Sequence, residues 1–299
     1  MPEPTENIAD LAQRQPARLR ALETRHAQAA ARPLAQALAA VQQDATRRWL
    51  HATSTTQRIP VLDELKKLID YIRKALKAAF EGRGTQAMRE AQRAAHTAAS
   101  LGIEHASRIA TLFRGVPPPP LEPETGPAAE HAAATIPVAV AEEESNALAL
   151  LTTTTLTATG ASGLASVFSR ARKAVTRITA GVAVAVTSAA AHAASTVARL
   201  FGKGTRLLWV AEPGACPACA AYAGRTVVPG RYFPGGLSLD PARTVFMTPL
   251  AAPPRHPHCR CALIPWHPSW RALGTPLPQL LQQRARHRAA RVPAPARRS

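Results

Sequence analysis

The sequence predicts an α+β protein, with a mainly helical N-terminal part and a small C-terminal loop-rich β unit stapled by a Cys/His cluster. Three observations lead there. Up to about Phe201, apolar residues recur at helical spacing. From Arg206 onward, short β-branched and aromatic runs alternate with Pro- and Gly-rich turns. All four cysteines of the 299-residue chain fall in one C-terminal stretch, as Cys216-Pro217-Ala218-Cys219 and His256-Pro257-His258-Cys259-Arg260-Cys261.

The first helix is expected from about Ile8 to His51, where Leu34, Leu38, Val41, Ala45 and Trp49 share a face. Pro16 and Pro33 are the places where it would bend or break. A second runs from about Val61 to Phe80, with Leu62, Leu65, Leu68, Ile69, Ile72, Leu76 and Phe80 as its stripe. Lys66, Lys67, Arg73, Lys74 and Lys77 lie largely outside that stripe. Glu81-Gly82-Arg83-Gly84 breaks it, and Thr85 is placed to cap a third helix reaching about Phe113. Together these read as a helical hairpin or three-helix unit.

Pro117 to Pro120, with Pro123, Gly126 and Pro127 following, reads as a linker whose weak structure continues to about Ser145. Helical pattern resumes with Leu164, Phe168, Ala171, Val175 and Ile178 and continues to Phe201, where Gly202-Lys203-Gly204 ends it. Ile178 to Ala198 carries no formal charge and approaches the length of a membrane span. Yet it is mostly Ala, Val, Thr, Ser and Gly, which contribute little insertion energy. The expectation is a buried or partner-packed helix, with no membrane contact.

Short strands are expected at Leu207–Val210, Arg225–Val228, Thr244–Met247 and Cys261–Ile264. Beyond them the tail carries Arg284, Arg286, Arg288, Arg291, Arg297 and Arg298, and no acidic residue follows Asp240. Interrupted by Pro293 and Pro295, that tail reads as disordered and polyanion-seeking. The net charge of +18 points the same way, towards nucleic acid. A coding bias that raises Arg, Ala and Pro together would produce the same charge without a partner. With 4% aromatic residues and much of the 46% hydrophobic content in Ala, cores are expected to be shallow.

The N-terminus, Met1-Pro2-Glu3-Pro4, lacks the basic and apolar regions of a signal peptide, so a cytoplasmic site of synthesis is expected. There reduced thiols favour metal over disulfides. Tetrahedral zinc needs four ligands, and a Cys-x-x-Cys turn points two sulfurs into one concavity. Cys216 and Cys219 would supply one pair and Cys259 and Cys261 the other, with His256 or His258 as substitutes. Cys216, Cys219, Cys259 and His256 form a reserve set. A disulfide pair, unpaired thiols, or a cysteine nucleophile activated by His256 or His258 are the other readings. No His-Glu-x-x-His, Walker-type loop or Gly-x-Ser-x-Gly elbow is present, and no enzymatic activity is expected.

The residues around the cysteines carry a resemblance. Trp209, Cys216-Pro217-x-Cys219, Gly224, Phe233, Pro253-Pro254-x-His256-Pro257-His258-Cys259-Arg260-Cys261 and Pro265 resemble the phage Mu F-like family of head morphogenesis proteins, also called minor head or minor capsid proteins. The pattern covers about a fifth of the chain, from Trp209 to Trp266. Family members usually carry an acidic residue shortly before the first cysteine, where this chain has Glu212. They often carry Thr-Glu on the preceding helix, where it has Thr187-Ser188. The resemblance implies a structural role in capsid assembly, association with the portal protein and with capsid or scaffold proteins, and a place inside the virion beside packaged DNA. The implied division is a helical portal-docking region over 1–115, a Pro-rich linker over 116–146, a head morphogenesis domain over 147–272 and a basic tail over 273–299. The alternative is a stand-alone zinc-stabilised nucleic-acid-binding protein. Its weakness is the scarcity of aromatic residues among the basic ones for base stacking.

Overall fold

Alanine-rich segments with polar residues at helical intervals fold as helix unless Gly or Pro interrupts, and this governs most of the chain. In a computed structural model, which describes residues 8–54, 62–240, 247–270 and 276–291, the protein is α+β and mainly helical. The helices are α1 (Ile8–Ser54), α2 (Leu62–Phe80), α3 (Arg83–Arg114), α4 (Pro127–Ala134), α5 (Ile136–Leu150), α6 (Thr153–Thr159), α7 (Ala161–Ala171) and α8 (Lys173–Leu200). Then follow β1 (Arg206–Val210), the single turn α9 (Pro217–Ala220), β2 (Thr226–Val227), β3 (Ala262–Trp266) and α10 (Leu277–Arg291).

Several expectations need correction. α1 runs without interruption through Pro16 and Pro33. Each proline costs a helix about 3 kcal/mol, but Leu11, Leu19, Leu34 and Leu38 bury the helix around them. Gly82, at φ 68°, is the left-handed residue that closes α2. Thr85 therefore lies inside α3 instead of capping it. The linker is shorter than expected: Pro127 opens α4, and Pro137 stands in the first turn of α5, the one part of a helix that tolerates proline.

The chain divides into two compact units, each assembled from separated stretches. One comprises residues 25–91 and 131–182. Its α2 buries Leu65, Leu68, Ile69, Ile72, Leu76, Ala79 and Phe80, while Asp63 and Glu64 in the first turn and Lys77 in the last complement the helix dipole. Leu62, expected in that stripe, is exposed. α5 and α7 pack together, with Ile136, Val140, Leu164, Val167 and Phe168 buried. The buried Glu143 on α5 is held by Arg170 at 2.9 Å and Arg177 at 3.3 Å.

The other unit comprises residues 1–24, 92–130 and 183–299 and contains the sheet, in order β2-β1-β3 with both pairings antiparallel. The two-residue period of β1 splits its side chains between two cores. Leu207 and Trp209 join the core that contains the cysteines. Leu208 and Val210 join Ala9, Leu11 and Ala12 of α1, Ile109 of α3, and Leu277 and Leu281 of α10. The strands at 207–210 and 262–266 follow the expected positions, the second beginning one residue later, and the 225–228 strand shortens to β2. The strand expected at Thr244–Met247 lies outside the described residues except for Met247, which is exposed.

α8 contains the uncharged run. Together with α7 it makes the stretch Ala161–Leu200, long and apolar enough to cross a membrane by length and composition, and 61% of the most apolar window of that stretch is buried inside the protein. Gly102 of α3 is what lets the backbone of α8 approach. A Cβ there would lie 2.9 Å from the Ala190 carbonyl oxygen and 2.9 Å from the Ala193 methyl. The tail expected to be disordered is helical over 277–291, and 292–299 lie outside the described residues. Leu277 and Leu281, one turn apart, bury one side of α10, and Arg284 donates to Asp10 at 2.6 Å and to Gln13 at 3.1 Å.

Gly102→Ala tests the close approach. Helix propensity alone would raise stability by about 1 kcal/mol. Collision with the α8 backbone is expected to reverse the sign and lower it by about 1–3 kcal/mol in urea unfolding. A raised midpoint would contradict the packing.

Candidate metal centre

Strand pairing explains why the two cysteine segments meet. Val210, the last residue of β1, pairs with Ala262, the first of β3. The chain leaving β1 and the chain entering β3 are thus delivered to the same end of the sheet. Pro217 starts α9, and the Ala220 amide closes the turn on the Cys216 carbonyl at 2.9 Å. Cys216 is thereby left solvent-exposed and Cys219 buried. In the second segment the Cys259 amide bonds the His256 carbonyl at 3.0 Å, and His258 takes the left-handed conformation, φ 63°. This left-handed residue stands immediately before Cys259 and turns the chain into the Cys-x-Cys segment, whose alternate positions share one side. Cys259 and Cys261 are both buried and both reach Cys219.

Two donor groups result, Cys216–Cys219–His256 and Cys219–Cys259–Cys261, with Cys219 common to both. His256 Nε2 is 3.3 Å from the Cys216 sulfur and 3.1 Å from that of Cys219. The Cys219 and Cys259 sulfurs are 3.6 Å apart. A tetrahedral zinc with bonds of about 2.0–2.3 Å separates its donors by about 3.6–3.8 Å, so these side chains are within a few tenths of an ångström of what an ion needs. Each group can hold a metal ion, and the thiols are free, not disulfide-bonded. The disulfide reading is set aside for this state of the protein.

His258, a candidate from sequence, points elsewhere. Its Nδ1 is 3.1 Å from the buried Glu23 carboxylate, to which Arg260 also donates twice, at 2.6 and 2.9 Å. Glu23 lies 235 positions from His258, and no local pattern marks it. Glu212, the acidic residue before the first cysteine, is buried and forms an ion pair with Arg20. Thr187 donates to the Cys259 carbonyl at 3.0 Å, so the helix preceding the β unit is tied to the cysteine loop through its hydroxyl.

Around the donors the support is rigid. Buried Arg255 donates to the carbonyls of Ala218 at 2.8 Å and Leu237 at 2.7 Å, fixing the Cys-x-x-Cys turn from behind. Its guanidinium also lies 5.2 Å over the Tyr222 ring. Trp209, Tyr222 and Phe233 form an aromatic wall, with Trp209 4.9 Å from Tyr222 and 5.1 Å from Phe233.

Electrostatics make the thiols unequal. Hydrogen bonds from Cys219 and His256 hold the Cys216 thiol down at about 4. The Cys216 hydrogen bond raises His256 to about 9. Cys219 is pushed up by hydrogen bonds to Cys216, Cys259 and Cys261 and by burial. Cys259 lies well below the ordinary thiol range, chiefly through its hydrogen bonds to Cys219 and Cys261. Cys261 lies well above it: the Cys219 hydrogen bond lowers it, and Cys259 and burial together outweigh that. Three buried thiols and an exposed one beside them cannot all ionise side by side without a cation, which is the chemistry of a metal site.

The arginines expected to meet DNA divide. Arg284 and Arg288 are engaged with α1, through Asp10 and Gln13 for the first and Gln13 for the second, and Arg286 is exposed. Arg291 ends α10, and Arg297 and Arg298 lie outside the described residues. Trp266 is buried and Trp270 stacks on Phe113 at 4.6 Å, so both are packing residues. No protein-family profile, curated protein or solved structure matches the chain.

Because Cys219 and Cys261 are raised, they are protonated at neutral pH in the absence of metal. Metal uptake near pH 7 is expected to release at least about two protons per ion, with affinity falling as pH is lowered. Calorimetry in buffers of different ionisation enthalpy measures this. Uptake without proton release would contradict the thiolate assignment.

Proposed function

We propose that this protein is a structural phage head-assembly protein of the Mu F-like kind, whose cysteine module is stapled by zinc. The observation that carries the reading is convergence of the quoted motif. Trp209, Cys219, Phe233, Cys259 and Cys261 share one core. Gly224, at φ 77°, sits where a Cβ would come 2.2 Å from the Pro278 carbonyl oxygen. Arg260 ties the loop to Glu23. These residues of the quoted motif thus meet in one small module.

Zinc is the ion that suits a donor set of thiolates and one imidazole, because it is borderline-soft and imposes no geometry beyond the tetrahedron. When bound it supplies positive charge that lets buried thiolates coexist. Cys219, Cys259 and Cys261 would hold it from inside, and Cys216 or His256 would complete the shell. The proposed role is non-enzymatic: assembly on the portal protein, with capsid or scaffold proteins as further partners. The chain would work in the host cytoplasm during assembly and in the virion afterwards. The net charge of +18 supports non-specific contact with packaged DNA through phosphates. The same charge favours the second reading, a stand-alone zinc-stabilised nucleic-acid-binding protein.

Co-expression with the portal protein of its own genome separates the two. The chain is expected to sediment with the portal ring and to stay there at a salt concentration that strips nucleic acid. Free sedimentation of the two proteins would contradict the head-assembly reading.

A further inference from the structure

The centre offers five donors for the four vertices of a tetrahedron. They are not equivalent. Cys219, Cys259 and Cys261 are 2%, 3% and 1% exposed, whereas Cys216 is exposed and His256 half-buried. A buried thiolate released from a metal has neither water nor another cation to turn to. A released Cys216 or His256 meets solvent, which hydrates it at little cost.

The two outer donors stand side by side, and once three buried thiolates hold the ion a tetrahedron has a vertex for one of them. Both approach Cys219 from the solvent side, and the Cys216 sulfur and His256 Nε2 are 3.3 Å apart. The structure holds each of them ready without the other. The Ala220 amide closes the α9 turn on the Cys216 carbonyl, and His256 Nδ1 is 2.8 Å from the Pro257 carbonyl, a contact that presents Nε2 to the sulfurs. All five donors line a recess of about 170 Å³, with Arg20, Glu212 and Gly214 on the rest of its wall. There the displaced donor finds room and polar company.

We propose that Cys219, Cys259 and Cys261 form a permanent three-thiolate base, and that Cys216 and His256 alternate at the fourth vertex. The site is then an exchangeable one, with either a thiolate or an imidazole free on the wall of the recess and open to an external soft ligand or competing metal. This rests on the reading of the cluster as a metal centre.

Cobalt(II) substitution of the full chain tests it, since the intensity of the sulfur-to-cobalt charge-transfer band counts thiolates. Cys216→Ser and His256→Ala are each expected to keep about one ion per chain. The first should show a three-sulfur, one-nitrogen spectrum and the second a four-sulfur spectrum. The double variant should bind at least roughly 10–100-fold more weakly, a loss of the size known for weakened metal sites. Cys261→Ser should weaken binding more than either single outer variant. Cadmium NMR of the unaltered protein needs no variant to fold, and its resonance should fall between those of the two single variants or split between them. Loss of the ion in Cys216→Ser alone, or two ions per chain, would overturn the exchangeable vertex while leaving a metal centre in place. If the unaltered protein takes up no metal, both readings fall together.

Discussion

The constraint on which the C-terminal module depends is the meeting of four thiols and an imidazole at one end of a very small sheet. The strands have five, two and five residues, too short a sheet to stand alone in water. The same register pair that joins β1 to β3, Val210 with Ala262, sets the cysteine loops side by side. Fold and site are therefore one construction: pairing the strands assembles the donors, and binding an ion across the donors would lock the pairing. A structural zinc contributes apparent free energies of about 10–16 kcal/mol in small domains, comparable to the whole stability of many proteins.

The rest of this unit is arranged around that junction. β1 is covered on both faces, by the aromatic and cysteine core on one side and by α1, α3 and α10 on the other. Such double burial needs apolar residues at successive positions, which is why Leu207, Leu208, Trp209 and Val210 follow one another without a polar break. Ion pairs anchor the loops from outside, with Glu23 binding Arg260 and Arg20 binding Glu212. Small side chains do the corresponding work between helices, as Gly102 does where α3 meets α8.

Much of this was legible in the sequence, and for identifiable reasons. The stripe of α2 and the change of texture at Arg206 are local patterns, and local patterns carry secondary structure. Clustering of the cysteines marked the site without any knowledge of the fold. What stayed hidden depends on contacts distant in sequence. His258 was as good a ligand candidate as His256 until the left-handed bend turned it towards Glu23. Disorder was expected for the tail because arginine dominates its composition. Yet two leucines one turn apart and a pairing with Asp10 give 277–291 a helical place. Pro127 looked like linker punctuation, although the first turn of a helix accepts it.

The most direct measurement of the central claim is amide hydrogen exchange before and after a chelator removes the metal. If the ion holds the cysteine loops and the sheet together, amides of β1, β3 and the α9 turn should lose protection, while those of α2 and α7 keep theirs. Full protection of β1 and β3 in protein shown to be metal-free would contradict the account.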